Sequence, residues 1–301
     1  MALDAFALVL CLFAAGKLAA RLGLFPSTAA EVLNLFVLYV CLPAAVLRHA
    51  PALRLEPALL GLVAVPWAML LAGAGLAHLA ARALRLGRSE RAVLLLCVPL
   101  GNTSFLGYPM TEALLGREAL PYAVAYDQLG SFVALSTWGL WVLARYGGGE
   151  PPTGRVLLGR LLRFPPFPAL LLALTVMPES PPALVAGLLD RLSGALLPVV
   201  AFALGLQLRL RLPRAARAPL AAGLALKLAV LPGLALALVR ILGLAPLPGA
   251  AAVLESAMPP MITAAALASS HRLAPELAAA LAGFGVLAAL VTLPLWAVLL
   301  T

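Results

Sequence analysis

The chain has 301 residues, 63% of them hydrophobic and only 11% charged, with a mean hydropathy of +1.06. A soluble domain carries about 25% charged residues and faces water over most of its surface, so this composition excludes a water-soluble fold and points to an all-α membrane protein. The formal net charge of +9 is divided among short basic clusters between apolar stretches. That placement argues against nucleic acid as a partner, which would need one continuous basic face. Cys11, Cys41 and Cys97 fall far apart inside apolar segments, with no ligand spacing, and read as buried reduced thiols.

A membrane span needs about 20 mostly apolar residues. Punctuation by Arg, Gly and Pro predicts ten, over 3–22, 29–49, 58–82, 91–116, 119–145, 156–177, 183–208, 218–241, 248–270 and 276–300. The first contains Asp4 and Lys17 and lacks a small-residue cleavage site, so it reads as a retained span, with Lys17 snorkelling to the surface. Asn34 in the second is either a pocket residue or a helix–helix hydrogen-bonding group. Asp127 and Gln128 lie in the fifth. Asp190 and Arg191 in the seventh are adjacent, so each must pair with another span or snorkel. Lys227, two turns into the eighth, either snorkels or lends its charge to attract an anion. His49, His78 and His271 sit near span ends without partners, where neither metal binding nor a proton relay is expected.

Orientation follows from the arginines. With the N-terminus outside, the inner ends and loops hold Arg21, Arg82, Arg85, Arg88, Arg91, Arg145, Arg155, Arg160, Arg163, Arg209, Arg211, Arg214, Arg217 and Arg272. The outer ends hold Arg48, Arg54, Arg117 and Arg240. Both termini are expected outside the cell, in a multi-pass protein of the cell (inner) membrane. The loops are too short for a soluble catalytic domain.

Two landmarks recur at nearly one offset. Leu42-Pro43-Ala44-Ala45-Val46 is followed 155 residues later by Leu197-Pro198-Val199-Val200-Ala201, and Gly101-Asn102-Thr103 is followed 157 later by Met258-Pro259-Pro260. The pattern predicts a five-span repeat over 1–146, a cytoplasmic linker over 147–155, and a second repeat over 156–301. An odd number of spans per repeat makes the two inverted relative to each other, a transporter signature. Chance placement among 26 prolines could produce the same spacing.

The fourth span contains Cys97-Val98-Pro99-Leu100-Gly101-Asn102-Thr103-Ser104-Phe105-Leu106-Gly107-Tyr108-Pro109. Pro removes a helical hydrogen bond and Gly weakens the helix, and lipid offers no partner for the backbone groups so freed. The break is therefore expected to face the protein interior. The ninth span repeats the device in Glu255-Ser256-Ala257-Met258-Pro259-Pro260-Met261-Ile262-Thr263. Half-helices starting at mid-membrane, near Ser104 and Ile262, would present unpaired N–H groups and a partial positive charge to an anion. Asn102 and Thr103 would add side-chain donors. The alternative is an ordinary proline kink in a packed bundle. Asp127 could bind a coupling proton or cation or hold a neighbouring helix, and Glu255 could answer protons or make a structural hydrogen bond.

These stretches resemble the auxin efflux carrier family. Leu100 to Pro109 is similar to the family's broken fourth helix, and Ala257-Met258-Pro259-Pro260-Met261-Ile262-Thr263 to its broken ninth. Gly23-Leu24-Phe25-Pro26 with Leu42-Pro43-Ala44 resembles its first two spans, and Tyr126-Asp127-Gln128-Leu129-Gly130 the fifth span of bacterial members. The resemblance covers essentially the whole chain. It implies ten transmembrane helices in two inverted five-helix repeats, with the broken helices 4 and 9 crossing, and elevator-type alternating access.

It also implies efflux or uniport of small organic carboxylate anions, auxin in plants and dicarboxylates for bacterial members. The expected substrate-binding residues are Asn102, Thr103, Ser104, Pro259, Pro260, Met261, Gln128 and Asn34, with Asp127, Glu255 and Lys227 in coupling or electrostatic roles. Partners are the anion, the lipid bilayer and, by analogy with plant members, a second copy in a homodimer. No cofactor or metal is expected. Gly101 departs from the proline of plant members, and the short linker points to a bacterial relative and away from auxin itself. Alternatives are a proton- or sodium-coupled symporter and a non-transporting sensor. An intramembrane enzyme would need clustered acidic residues, and the twelve here are scattered.

Overall fold

The computed structural model describes residues 2–53, 57–148, 153–207 and 216–300. Arg54, Arg209, Arg211 and Arg214, and residues 149–152 of the linker expected over 147–155, lie outside them. Every regular element among the described residues is helical. After α1 (Ala2–Arg21), α2 (Ala29–Phe36) and α3 (Leu42–His49) run on through a π-helical turn at Val37–Cys41. α4 (Pro57–Ala83) is continuous. α5 (Arg88–Cys97) and α6 (Tyr108–Leu115) flank a non-helical stretch and a π-helical turn at Thr103–Gly107. α7 (Leu120–Tyr126), α8 (Phe132–Ala134) and α9 (Leu140–Gly147) are linked by π-helical turns at Asp127–Ser131 and Leu135–Gly139. α10 (Gly154–Arg163) and α11 (Pro166–Thr175) follow, separated by a break at Phe164 and Pro165.

In the remaining chain, α12 (Ala183–Gly194) leads into α13 (Leu196–Gln207). α14 (Arg217–Ala225) and α15 (Leu231–Ile241) are joined by a π-helical turn at Leu226–Val230. α16 (Pro246–Ser256) and α17 (Ile262–Ser270) are separated by non-helical backbone, and α18 (Pro275–Leu300) closes the chain. Five runs are long and apolar enough to cross a membrane, namely Ala29–Ala52, Leu59–Ala83, Ala183–Gln207, Arg217–Ile241 and Pro275–Leu300; the broken α10–α11 pair would make a sixth. Large apolar side chains stand exposed along these helices, among them Leu60, Leu71, Leu184, Ile241 and Val298. On a soluble protein such a surface would aggregate; in a bilayer it meets lipid.

The chain divides into two compact units, each built from separate pieces of sequence. The first comprises Met1–Arg54, Ser104–Val124 and Leu162–Leu208. In it α1 packs along α13, because two glycines let the backbones meet: a Cβ added at Gly205 would lie 2.9 Å from the Lys17 main-chain nitrogen and 3.0 Å from Gly16 Cα. Phe25 and Phe202 meet edge to face, centroids 5.4 Å apart. Asp190 finds the pairing its position demanded, accepting from Arg48 Nε at 2.9 Å and from Arg117, whose Nε is also 3.3 Å from Glu112. His49, Tyr108, Glu112 and Ser193 help to line a cavity of about 170 Å³ in this unit.

The second unit comprises Leu55–Thr103, Ala125–Leu161 and Arg209–Thr301. Tryptophans staple its helices through main-chain carbonyls: Trp67 Nε1 donates to Leu129 O at 3.2 Å, Trp138 to Leu95 O at 2.9 Å and Trp296 to Leu228 O at 2.9 Å. Pro66, inside α4, packs so tightly on Gly130 that any side chain there would overlap its ring. Two expectations for isolated side chains change. Cys41 and Cys97 are buried, but Cys11 is exposed on α1, since its helix position faces away from α13. His271 is not without a partner, its Nδ1 lying 2.9 Å from Leu267 O.

Candidate functional site

The candidate site is built where two helices stop inside the second unit. α5 ends at Cys97, and its last turn closes with Val98 N–H on Leu94 O at 3.0 Å. Pro99, which has no N–H, and Gly101 then interrupt the helix. α16 ends at Ser256, with Ala257 N–H on Val253 O at 3.0 Å and Met258 N–H on Glu255 O at 3.3 Å. Pro259 and Pro260 follow, and neither can donate to a continuing helix.

The two interrupted stretches satisfy each other. Gly101 and Pro260 form an isolated antiparallel bridge, with Asn102 N–H donating to Pro259 O at 2.8 Å and Met261 N–H to Leu100 O at 2.9 Å. Non-helical backbone at this depth must find partners in the protein, and here each break supplies them to the other. Pro260 is seated on Gly285 of α18, where an added Cβ would approach the ring Cδ to 2.6 Å. Helix resumes on both strands two residues beyond the bridge, at Thr103 and at Ile262. The first amides of those helices have no intrahelical acceptor.

Polar side chains converge on the bridge from neighbouring elements. Asn102 is 2% exposed, and its Nδ2 has no hydrogen-bond acceptor among the described residues. Thr103 Oγ1 donates to Asp127 Oδ1, and Gln128 Nε2 to Asp127 Oδ2 at 2.7 Å. Tyr126 Oη and Ser256 Oγ share a hydrogen bond of 2.9 Å, and Lys227 Nζ donates to Ser256 O at 3.1 Å. Asp127, Gln128, Glu255, Ser256 and Lys227 are all buried.

Four of these groups enter from three π-helical turns, Thr103 from the first, Asp127 and Gln128 from the second and Lys227 from the third. The extra residue in a π turn rotates side chains off the regular helical positions, and such turns recur at functional sites.

The expected site residues can now be located. Asn102, Thr103, Pro259, Pro260, Met261, Gln128, Asp127, Glu255 and Lys227 all belong to the second unit. Ser104, the next residue after the bridge strand, is buried and begins a segment of the first unit. Asn34 is half-buried on α2, also in the first unit. The structure assigns the Thr103 hydroxyl to Asp127. Lys227 does not snorkel: at 3% exposure its ammonium is turned inward, because the Ser256 carbonyl and the side-chain-free Gly101 make room for it. Sequence reasoning missed Tyr126 and Ser256 as members of the cluster, although each adjoins an acid it had singled out. No group of three or more His, Cys, Asp or Glu among the described residues could hold a metal ion.

Comparison with known proteins identifies the family. Residues 1–297 match the family described as membrane transport protein. An uncharacterized transporter of Methanothermobacter thermautotrophicus is 32% identical over 298 residues, covering 97% of this chain and 96% of its own length. An uncharacterized transporter of Methanocaldococcus jannaschii is 27% identical over 215 residues, 68% of each chain. The protein is a transporter and not an enzyme. With its match running almost end to end, the chain belongs to the auxin efflux carrier family of membrane transport proteins.

Proposed function

We propose that this protein is a secondary transporter of small organic carboxylate anions, held at the paired helix breaks and moved by elevator-type alternating access. The observation that carries this reading is the Gly101–Pro260 bridge with the buried, unpartnered Asn102 Nδ2 beside it. A buried amide donor without an acceptor costs about 1–3 kcal/mol, a cost removed when a ligand oxygen takes the bond. The amides that open the helices at Thr103 and Ile262 add the positive ends of two helix dipoles. An anion is the ligand these groups suit. In this reading the breaks are the crossing of helices 4 and 9 in a ten-helix inverted repeat, in the cell membrane with both termini outside and a homodimer as the assembly.

A thermal-shift screen of the purified protein against small mono- and dicarboxylates tests the proposal. A concentration-dependent rise that disappears in Asn102→Ala identifies both the substrate class and the pocket. No rise with any carboxylate, in protein that melts cooperatively, overturns the anion reading.

One observation favours proton coupling over simple uniport. The Thr103–Asp127 hydrogen bond ties the break directly to a buried carboxyl group. A charged Asp127 would oppose an arriving anion, and a protonated one would not, so anion and proton would bind together. Flux into liposomes with and without a proton gradient separates the two modes.

A further inference from the structure

Lys227 occupies an unusual place for a buried ammonium. It enters from the π-helical turn Leu226–Val230 and donates to the carbonyl of Ser256, the last residue of α16. The final carbonyls of a helix have no intrahelical donor and carry the negative end of its dipole. Within α16, Val253 O, Leu254 O and Glu255 O are taken by the amides of Ala257 and Met258. Ser256 O is taken by Lys227.

The other side of the ammonium is formed by the first break. A Cβ at Gly101 would lie 3.0 Å from Lys227 Nζ, 3.4 Å from its Cε and 3.5 Å from Glu255 O. The charge therefore rests between bare backbone of one break and the carbonyl end of the other, with the buried Glu255 carboxyl group near enough to act on it electrostatically. Unwound backbone and half-helix C-terminal ends are where secondary transporters with discontinuous helices coordinate a coupling sodium ion. A lysine ammonium offers the same single charge to the same carbonyl oxygens, on a tether that never leaves.

We propose that the Lys227 ammonium is a built-in cation that stands in for a coupling sodium at the paired breaks, and that Gly101 is the residue that admits it. Transport is then independent of sodium, and the positive charge that faces the anion comes from the chain itself. The inference rests on the transporter reading but not on which anion is carried.

The test needs no substrate. The melting midpoint of the purified full chain is followed while sodium chloride replaces choline chloride at constant ionic strength. For the unaltered protein the midpoint is expected to stay flat, and a saturable, sodium-specific rise overturns the proposal. Lys227→Met keeps the length of the side chain and removes its charge. It is expected to melt lower and to gain a saturable rise of roughly 3 °C or more with sodium or lithium, as for any ligand bound only by the folded state. A Lys227→Met protein indifferent to small cations overturns the proposal, whatever its midpoint. Should that variant not be recovered folded, Lys227→Gln removes the charge while keeping an amide that can donate to the Ser256 carbonyl. The same sodium response is expected of it, and its absence is equally decisive. The carboxylate screen is read separately on the unaltered protein, so the two proposals fail independently.

Discussion

The main-chain amide of Asn102 donates to the carbonyl of Pro259 at 2.8 Å, joining two helix breaks 157 residues apart by backbone alone. That bond leaves the Asn102 side chain free of any structural duty at the bridge. It is this division of labour within one residue that makes its variants informative.

Asn102→Ala should insert and melt like the parent protein, since the bridge bonds are main-chain. It should lose about 10- to 100-fold in carboxylate affinity, the worth of a hydrogen bond to a charged group of about 1.5–3 kcal/mol. Titration by thermal shift or calorimetry measures it. Undiminished affinity would remove Asn102 from the site.

Gly285→Ala should damage the site from a distance. The new methyl would meet the Pro260 ring at 2.6 Å, so either α18 or the bridge must shift. Overpacking of this kind costs about 1–3 kcal/mol, and the displaced bridge should lower transport more than stability alone explains. Flux per folded molecule, alongside the melting midpoint, distinguishes the two. A variant with normal flux and midpoint would show that α18 does not hold the break.

Asp127→Asn keeps an acceptor for the Thr103 hydroxyl and removes the ionisable group. Anion affinity should be retained, while stimulation of flux by a proton gradient should disappear. Retained stimulation would assign proton coupling elsewhere or exclude it.

Asp190→Asn should matter little. Its partners Arg48 and Arg117 have side chains 27% and 55% exposed, and pairs of that exposure contribute at most about 1 kcal/mol. Gly205→Leu should be far worse, although no charge is lost. It would drive α1 off α13, where even an added Cβ would lie 2.9 Å from the Lys17 main-chain nitrogen. Comparing the two melting midpoints tests whether the first unit is held by close backbone packing or by its ion pairs.

Much of this was legible in the sequence, for reasons that are local. Long apolar segments of low charge specify a membrane environment because no other solvent suits them. Both breaks could be located from Pro99, Gly101, Pro259 and Pro260, since proline lacks a donor and glycine has no side chain to hold it in a helix.

Other features depended on partners far away in the chain. No local preference says that Leu100 and Met261 share a hydrogen bond, or that the Thr103 hydroxyl turns to Asp127. The π-helical turns that carry Thr103, Asp127 and Lys227 inward leave no composition signal, because they are small insertions in helix hydrogen bonding tolerated by surrounding packing. Lys227 shows the division most plainly. Its sequence position allowed either an outward reach to water or an inward charge, and both suit a flexible four-carbon side chain. Only the tertiary structure, by setting an unfilled helix-end carbonyl beside a glycine with no side chain, gave the ammonium a better partner inside than out.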